Sequence, residues 1–197
     1  FGPERVFGAP LSEDALTGMA LGAAMHGLRP VLIHIRADFA LLGMNQIANM
    51  ISSARYMSGG AFSVPLVIRA VVGRGWGQAA QHSKSLQGVF AHFPGLKVVM
   101  PTTPRDAKGL LSAAIRDDNP VICLEHRWLY GAVDEVPEGE FTIPIGPPAL
   151  LREGRDVTIA ATSWMVVESL MAADLLKEAG VSAEVIDVRT AAPLEAG

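Results

Sequence analysis

The sequence is poor in cysteine, in charge and in long apolar runs. It has one cysteine in 197 residues, and 18% of its residues are charged, below the roughly 25% of average domains. It contains no stretch of about 18 uncharged apolar residues, so a membrane-spanning helix is not expected. The lone Cys123 lies in an apolar run over 120–124 and is interpreted as a core residue of a cytoplasmic protein.

The chain also lacks a basic block and a cluster of metal-binding side chains. Its formal net charge is -4, which argues against nucleic acid as the main partner. Its cysteine and histidines are not grouped at the spacings of a metal site. Since 50% of the residues are hydrophobic and few are charged, we expect part of the surface to be covered by another subunit.

What the chain does contain is an alternation of apolar runs and helical patterns. One helix is predicted from the N-cap residue Ser12 to Gly27, and another from Asp38 to a stop near Gly59. Further strands are predicted over 30–35, 64–72, 96–100, 120–124, 156–161 and 181–188, and further helices over 104–116 and 164–179. This alternation predicts an α/β fold with a mostly parallel sheet and helices on both faces.

A change in amino-acid composition separates two parts of the chain. Proline and glycine are concentrated between 133 and 155, which predicts a linker or an extended crossing segment. We therefore expect one domain over 1–132, a linker over 133–155 and the start of a second α/β domain over 156–197. The first residues are not a natural start and the last ones resemble the entry to a helix, so we expect an internal or ordered portion of a longer protein.

Glycines mark two places of expected close packing. Gly18 and Gly22 share one face of the first helix, which allows either tight packing within the subunit or a helix contact between subunits. Gly73, Gly75 and Gly77 follow a predicted buried strand and precede His82. Ligands bind beyond the carboxyl ends of parallel strands, and histidine titrates near neutral pH. The pattern alone leaves two readings open, a ligand-binding loop and a plain connector with a surface histidine.

Several stretches together resemble the β subunits of 2-oxo acid dehydrogenase E1 components, which are transketolase-like thiamine diphosphate enzymes. The matching stretches follow the family's order and spacing over nearly the whole chain: FGPERV at 1–6, PLSE at 10–13, GLRP at 27–30, YMSGG at 56–60, AQHS at 80–83, PGLKVV at 94–99, DAKGL at 106–110, DDNPV at 117–121 and IPIG at 143–146. The resemblance implies a pyrimidine-binding domain up to residue 132, followed by an incomplete transketolase C-terminal-type domain. It also implies oxidative decarboxylation of a 2-oxo acid with acyl transfer to a lipoyl group.

The resemblance assigns roles to four residues. Glu13 matches the glutamate that bonds N1′ of the cofactor's aminopyrimidine and favours its imino tautomer; without the resemblance it would be a partner of the helix dipole. Phe39 matches the aromatic residue that lies against the same ring, or is an ordinary core aromatic. Leu11 matches a backbone contact to that ring. His82 matches the active-site histidine linked to substrate binding or acyl transfer.

The resemblance also implies ions and partners. Five residues match a monovalent-cation site that holds K⁺ in some relatives: Leu66, Ala114, Ile115, Asp117 and Asn119. The same residues can instead form a helix end closed by Asp and Asn. The Gly-Asp-Gly and Asn signature that holds the diphosphate through Mg²⁺ does not occur. The implied partners are therefore an E1 α subunit carrying that site, a second β subunit in an α2β2 heterotetramer, and a lipoyl-bearing acyltransferase.

Some positions depart from the better-known relatives. Arg36 precedes Asp38-Phe39 where those relatives carry other residues, and Asn45 stands in place of a common aspartate. Arg36 can pair with a substrate carboxylate or form a structural ion pair. Because of these departures, the sequence does not identify which 2-oxo acid is the substrate. They also leave two alternatives, a transketolase-type carboligase subunit and a non-catalytic assembly subunit of the same fold.

Overall fold

The structure, a computed structural model, describes residues 1–75 and 77–195 and contains two sheets. The strands are β1 Val31–His34, β2 Val67–Val72, β3 Lys97–Val99, β4 Val121–His126, β5 Ala149–Arg152, β6 Val157–Ala161, β7 Ala183–Asp187 and β8 Thr190–Ala192. The larger sheet has the order β1-β2-β4-β3-β8, and the smaller has the order β5-β7-β6.

The helices surround these sheets. They are α1 Glu13–Met25, α2 Ala37–Ala40, α3 Ala54–Met57, α4 Gln87–Ala91, α5 Pro104–Arg116 and α6 Trp164–Glu178. Short 3₁₀ turns cover Leu41–Gly43, Ala80–His82 and Arg127–Gly131, and a π-helical segment covers Asn45–Ile51. In the described part of the chain, none of these helices has the length and apolar character needed to cross a membrane.

The larger sheet confirms the predicted α/β fold. Strands β1, β2, β4 and β3 are all parallel, and the register places His34 beside Ala70 and Val72 beside His126. Because these strands run in one direction, the loops that leave their carboxyl ends meet at one edge. Helix α5 covers one face and α1 and α4 contribute to the core on the other. Cys123 is 1% exposed, as predicted for a core residue.

Helix α5 shows how strongly local signals can determine an element. The Thr103 hydroxyl accepts a hydrogen bond from the Asp106 backbone N–H at 3.0 Å, and the Asp106 carboxylate accepts one from the Thr103 backbone N–H at 3.2 Å. Pro104 occupies the first turn, where its missing N–H costs nothing. This capping box begins the helix where the sequence predicted it.

The prediction of a single helix that begins at Asp38 is wrong. The chain instead forms α2, a 3₁₀ turn, a π-helical segment and α3. The turn packs against α1 so closely that a Cβ added at Gly43 would lie 2.9 Å from the Thr17 Oγ1 atom and 3.3 Å from the Glu13 carbonyl oxygen. This close contact between distant segments accompanies the departure from regular α-helical geometry.

Two strands were not predicted. β5 lies inside the segment interpreted as a linker and pairs antiparallel with β7, with Leu150 opposite Ile186. β8 pairs antiparallel with β3, with Val98 opposite Ala192. Both are short and take their conformation from a partner strand, which a local pattern does not reveal. The C-terminal part of the chain thus completes the larger sheet, while the domain boundaries at 132 and 155 stay a prediction.

The two glycines of α1 have different surroundings. A Cβ added at Gly18 would lie 3.4 Å from the Gln46 side chain, whereas one added at Gly22 would have no described atom within 4 Å. Gly18 therefore serves packing within the subunit, against the π-helical segment.

Candidate functional site

Glu13 lies in the first turn of α1 near the carboxyl end of β1. Its charge raises the pKa of His34, the last residue of β1, although burial has the larger effect and leaves that pKa below its usual value. The Glu13 side chain is half-buried, and its carboxylate makes no hydrogen bond or ion pair with the described residues. Ser12 occupies the predicted N-cap position, but its side chain does not cap the helix. A partly buried carboxylate thus remains available to a ligand.

Phe39 and His82 meet at the same edge of the sheet. Their ring centroids are 5.1 Å apart and the rings are nearly perpendicular, at 79°. The His82 Nδ1 atom is buried without a hydrogen-bond partner among the described residues. Helix α2, which contains Phe39, leads into the turn that packs against α1 and also contacts the 3₁₀ turn that ends at His82, so Glu13, Phe39 and His82 lie at one edge. Leu11 is 94% exposed, so its backbone contact to a ligand stays a prediction.

The glycine-rich loop after β2 passes close to two aromatic side chains. Gly73 has a φ of +84°, and a Cβ there would lie 2.1 Å from the His126 Nε2 atom. Gly75 has a φ of +141°, and a Cβ there would lie 2.1 Å from the Trp128 Nε1 atom. Only glycine accommodates both the left-handed conformation and the contact. Trp76, which belongs to the same motif, lies outside the described residues.

These contacts belong to an aromatic cluster that the sequence did not indicate. The rings of His126 and Trp164 are stacked at 6.0 Å, and Trp128 meets Trp164 edge-on at 5.1 Å. The Arg74 guanidinium lies 5.0 Å from the Trp128 ring centroid. Burial lowers the pKa of His126, and the nearby charges of Arg74 and Arg36 lower it further. The alternating glycines signalled a close approach, but not which side chains are approached.

Replacing Gly73 by alanine should destabilise the chain more than replacing Gly77. Both residues have similar φ angles, +84° and +80°, but a Cβ at Gly77 meets no described atom within 4 Å. The left-handed strain of about 1–2 kcal/mol is common to both, whereas Gly73→Ala also pushes into a stacked histidine ring, adding about 1–3 kcal/mol. Urea unfolding measures the difference, and tryptophan fluorescence reports the aromatic cluster. Equal losses for the two variants would contradict the close contact.

Arg36 has a structural contact in this fold. It is 1% exposed, and its Nη1 atom donates to the Gly73 carbonyl oxygen at 3.2 Å. Burial lowers the pKa of the Arg36 guanidinium and Arg127 lowers it further, while Asp38 acts in the opposite direction. Of the two roles considered for Arg36, this burial favours a structural role over contact with a substrate carboxylate.

Leu66, Ile115 and Asp117, three of the five residues matched to a cation site, have carbonyl oxygens that already accept hydrogen bonds from the protein's own donors. Arg29 Nη1 donates to the carbonyl oxygens of Ile115 and Asp117, both at 3.0 Å. The Leu66 carbonyl oxygen accepts a hydrogen bond from the Val121 backbone N–H at 2.9 Å. A guanidinium this close to two of the carbonyl oxygens repels a second cation. The residues therefore do not fit a bound K⁺ ion, and the arrangement is that of a helix end closed by side chains.

Comparisons with known proteins agree with this fold. The family model of the transketolase pyrimidine-binding domain matches residues 1–132, and that of the transketolase C-terminal domain matches residues 148–196. A solved structure, the inactive β4 tetramer of a split-gene transketolase, superposes with a TM-score of 0.78 at 26% identity, covering 95% of this chain and 58% of that one.

Curated relatives are β subunits. The acetoin:2,6-dichlorophenolindophenol oxidoreductase subunit beta of Cupriavidus necator is 48% identical over 98% of this chain and 57% of its own length. The 2-oxoisovalerate dehydrogenase subunit beta and the pyruvate dehydrogenase E1 component subunit beta of Bacillus subtilis are 45% and 46% identical, each over 99% of this chain and 60% of its own length. The chain thus spans about three fifths of these relatives, and the resemblance to E1 β subunits is confirmed. The chain belongs to the transketolase family, whose pyrimidine-binding-domain model matches most of it.

Proposed function

We propose that the chain is the β subunit, or a large part of it, of a thiamine diphosphate-dependent 2-oxo acid dehydrogenase E1. The observation that carries this proposal is the half-buried Glu13 carboxylate, which has no partner among the described residues and lies at the same edge as the Phe39–His82 contact. The match to a transketolase pyrimidine-binding domain and the likeness to E1 β subunits support the binding of an aminopyrimidine at this edge.

The side chains at this edge suit the aminopyrimidine half of the cofactor. Glu13 offers a carboxyl group that holds a proton against a ring nitrogen, and the half-buried Phe39 offers an aromatic face to the ring. The backbone of Leu11 would supply a further hydrogen bond. When bound, thiamine diphosphate supplies an electron sink for decarboxylation. Glu13 orients the ring and moves its proton, which is the contribution of this chain to activation.

We assign His82 to the substrate side of the same edge. Its ring is held edge-on by Phe39, and its buried Nδ1 atom has no described partner. A buried, unpartnered ring nitrogen is costly unless a ligand satisfies it. We assign His82 to binding of the 2-oxo acid or to proton transfer during delivery of the acyl group.

The remaining parts of the active site are assigned to partners. The sequence lacks the Gly-Asp-Gly and Asn signature for Mg²⁺ and diphosphate, and the described residues contain no group of three or more Asp, Glu, His or Cys arranged for a metal ion. An α subunit would supply both functions in a cytoplasmic α2β2 assembly, and a lipoyl-bearing acyltransferase would receive the acyl group. The 2-oxo acid is left open, because an α subunit would form much of its pocket.

Reconstitution tests this function. The chain is co-expressed with its α subunit, loaded with thiamine diphosphate and Mg²⁺, and given a panel of 2-oxo acids with either an artificial electron acceptor or a lipoyl domain. We expect turnover with both acceptors, strictly dependent on both subunits. Ligation to an aldehyde without lipoyl acylation would instead support a transketolase-type carboligase, which the likeness to a split-gene transketolase favours as second candidate. Assembly without turnover on any substrate would indicate a non-catalytic subunit.

A further inference from the structure

The loop that carries His82 is tied to the segment after β1 at three points. Arg36 donates to the Gly73 carbonyl oxygen at 3.2 Å where the loop begins. Phe39 contacts His82 at a centroid distance of 5.1 Å. Beyond His82, Lys84 Nζ lies 3.1 Å from the Asp38 Oδ1 atom. A stretch of four residues after β1 therefore contacts both ends of the loop and the histidine between them.

Lys84 links Asp38 to the backbone next to His82. Its Nζ atom also donates to the Ala80 carbonyl oxygen at 3.1 Å, in the 3₁₀ turn that ends at His82. Within that turn the His82 backbone N–H donates to the Ala79 carbonyl oxygen at 3.3 Å. The ammonium group thus bridges the Asp38 carboxylate and the turn that presents His82.

The two partners of the ion pair are unequally buried. The Asp38 side chain is 4% exposed and its Oδ2 atom has no hydrogen-bond partner, whereas the Lys84 side chain is 45% exposed. A buried carboxylate is unfavourable unless it is paired, and removing its partner costs far more than removing a surface ion pair. The loop therefore cannot lift away from the sheet edge without leaving the Asp38 carboxylate poorly compensated.

The backbone before the turn also needs support. Ala79 has a φ of +47°, a left-handed conformation that is unfavourable for a residue with a Cβ. Such conformations persist where surrounding contacts determine them. Lys84 supplies one such contact, because its Nζ atom donates to the carbonyl oxygen of Ala80, the residue directly after Ala79.

We propose that Asp38 and Lys84 are positioning residues that hold the His82 turn against Phe39. Their consequence for turnover rests on the proposed function, but their effect on the loop does not. In this arrangement the ion pair sets how long His82 stays beside Phe39, and loss of the pair lets the turn open.

Hydrogen exchange of the peptide over 79–84 in the full-length chain tests the loop directly. Lys84→Met should raise exchange of the His82 amide about tenfold, and Lys84→Arg should restore it, since arginine keeps the charge. Lys177→Met on α6, a lysine with no ion pair among the described residues, is the matched control and should leave exchange unchanged.

Steady-state kinetics of the reconstituted enzyme distinguish an effect on the position of the His82 loop from an effect on the chemical step. Lys84→Met should lower kcat/KM about tenfold with most of the change in KM, and Lys84→Arg should recover it. Unchanged exchange of the His82 amide in Lys84→Met would overturn the proposal. Altered exchange in an assembly without any turnover would leave the loop mechanism intact and contradict the proposed function instead.

Discussion

Glu13→Gln should lower the kcat of the reconstituted enzyme on the order of 10³-fold while leaving the fold intact. The amide keeps the size of the side chain and can still accept or donate a hydrogen bond, but it cannot carry the proton exchange that activates the aminopyrimidine. Because the Glu13 carboxylate makes no hydrogen bond or ion pair with the described residues, its replacement removes only its charge near the helix N-terminus. The free energy of unfolding should therefore fall only by about 0.3–1 kcal/mol, the contribution of one charge at a helix N-terminus. Steady-state kinetics and a melting curve measure the two effects.

Asp14→Asn is the matched control for that experiment. Asp14 lies beside Glu13 in the first turn of α1, is exposed, and accepts a weak hydrogen bond from Gln46 at 3.3 Å. Both substitutions remove one negative charge from the helix N-terminus, where each charge contributes typically about 0.3–1 kcal/mol. Full activity in Asp14→Asn and a large loss in Glu13→Gln would separate chemistry from helix stabilisation. Equally small losses of activity in the two variants would indicate that Glu13 only stabilises the helix dipole.

The free energy of unfolding should fall as the pH rises from about 4 to about 7, and Asp187→Asn should remove much of this dependence. Asp187 ends β7 and is 1% exposed. Burial raises its pKa to about 7, with a further increase from Asp106 and opposition from Thr102 and Arg189. Arg189 itself donates to Asp106 at 3.0 Å, so its charge is shared between the two carboxylates.

The sign follows from proton binding. Between the two pKa values the folded chain keeps the Asp187 proton and the unfolded chain releases it, so rising pH favours unfolding until about pH 7, above which the term is constant. The difference between a pKa of about 7 in the folded chain and the ordinary value of an aspartate corresponds to a loss on the order of 4 kcal/mol. Urea unfolding at several pH values measures it. Asp174→Asn, at an exposed pair with Arg152, should retain the wild-type slope. If the free energy of unfolding of Asp187→Asn depended on pH as steeply as that of the wild type, Asp187 would not be the source of the pH dependence.

Local signals in the sequence were sufficient for several elements. Thr103, Pro104 and Asp106 specify the start of α5 because a capping box is made within a few residues of one another. The apolar runs predicted the parallel strands, and their alternation with helices predicted the sheet. Resemblance to a family supplied Glu13, Phe39 and His82, whose shared location at one edge follows from the parallel order of β1 and β2.

Other features depended on contacts between distant segments. The sequence predicts that Gly73 and Gly75 approach something closely, but their neighbours His126 and Trp128 lie more than 50 positions away along the chain. The conformations of β5 and β8 come from the strands they pair with. The segment after Asp38 departs from an α-helix where Gly43 meets α1.

The residues matched to a cation site and the Asp38–Lys84 ion pair also depend on contacts between distant segments. The residues matched to a K⁺ site follow one another at the end of α5, yet Arg29, 86 residues from Ile115, occupies the carbonyl oxygens. Lys84 and Asp38 are 46 residues apart and meet because β1 and β2 are neighbours. Helix caps, turns and apolar periodicity act over a few residues, so the sequence by itself determined the elements and the residue types at the site. Which charged and aromatic side chains surround those residues was decided by strand order and packing, because these bring together groups that no local pattern relates.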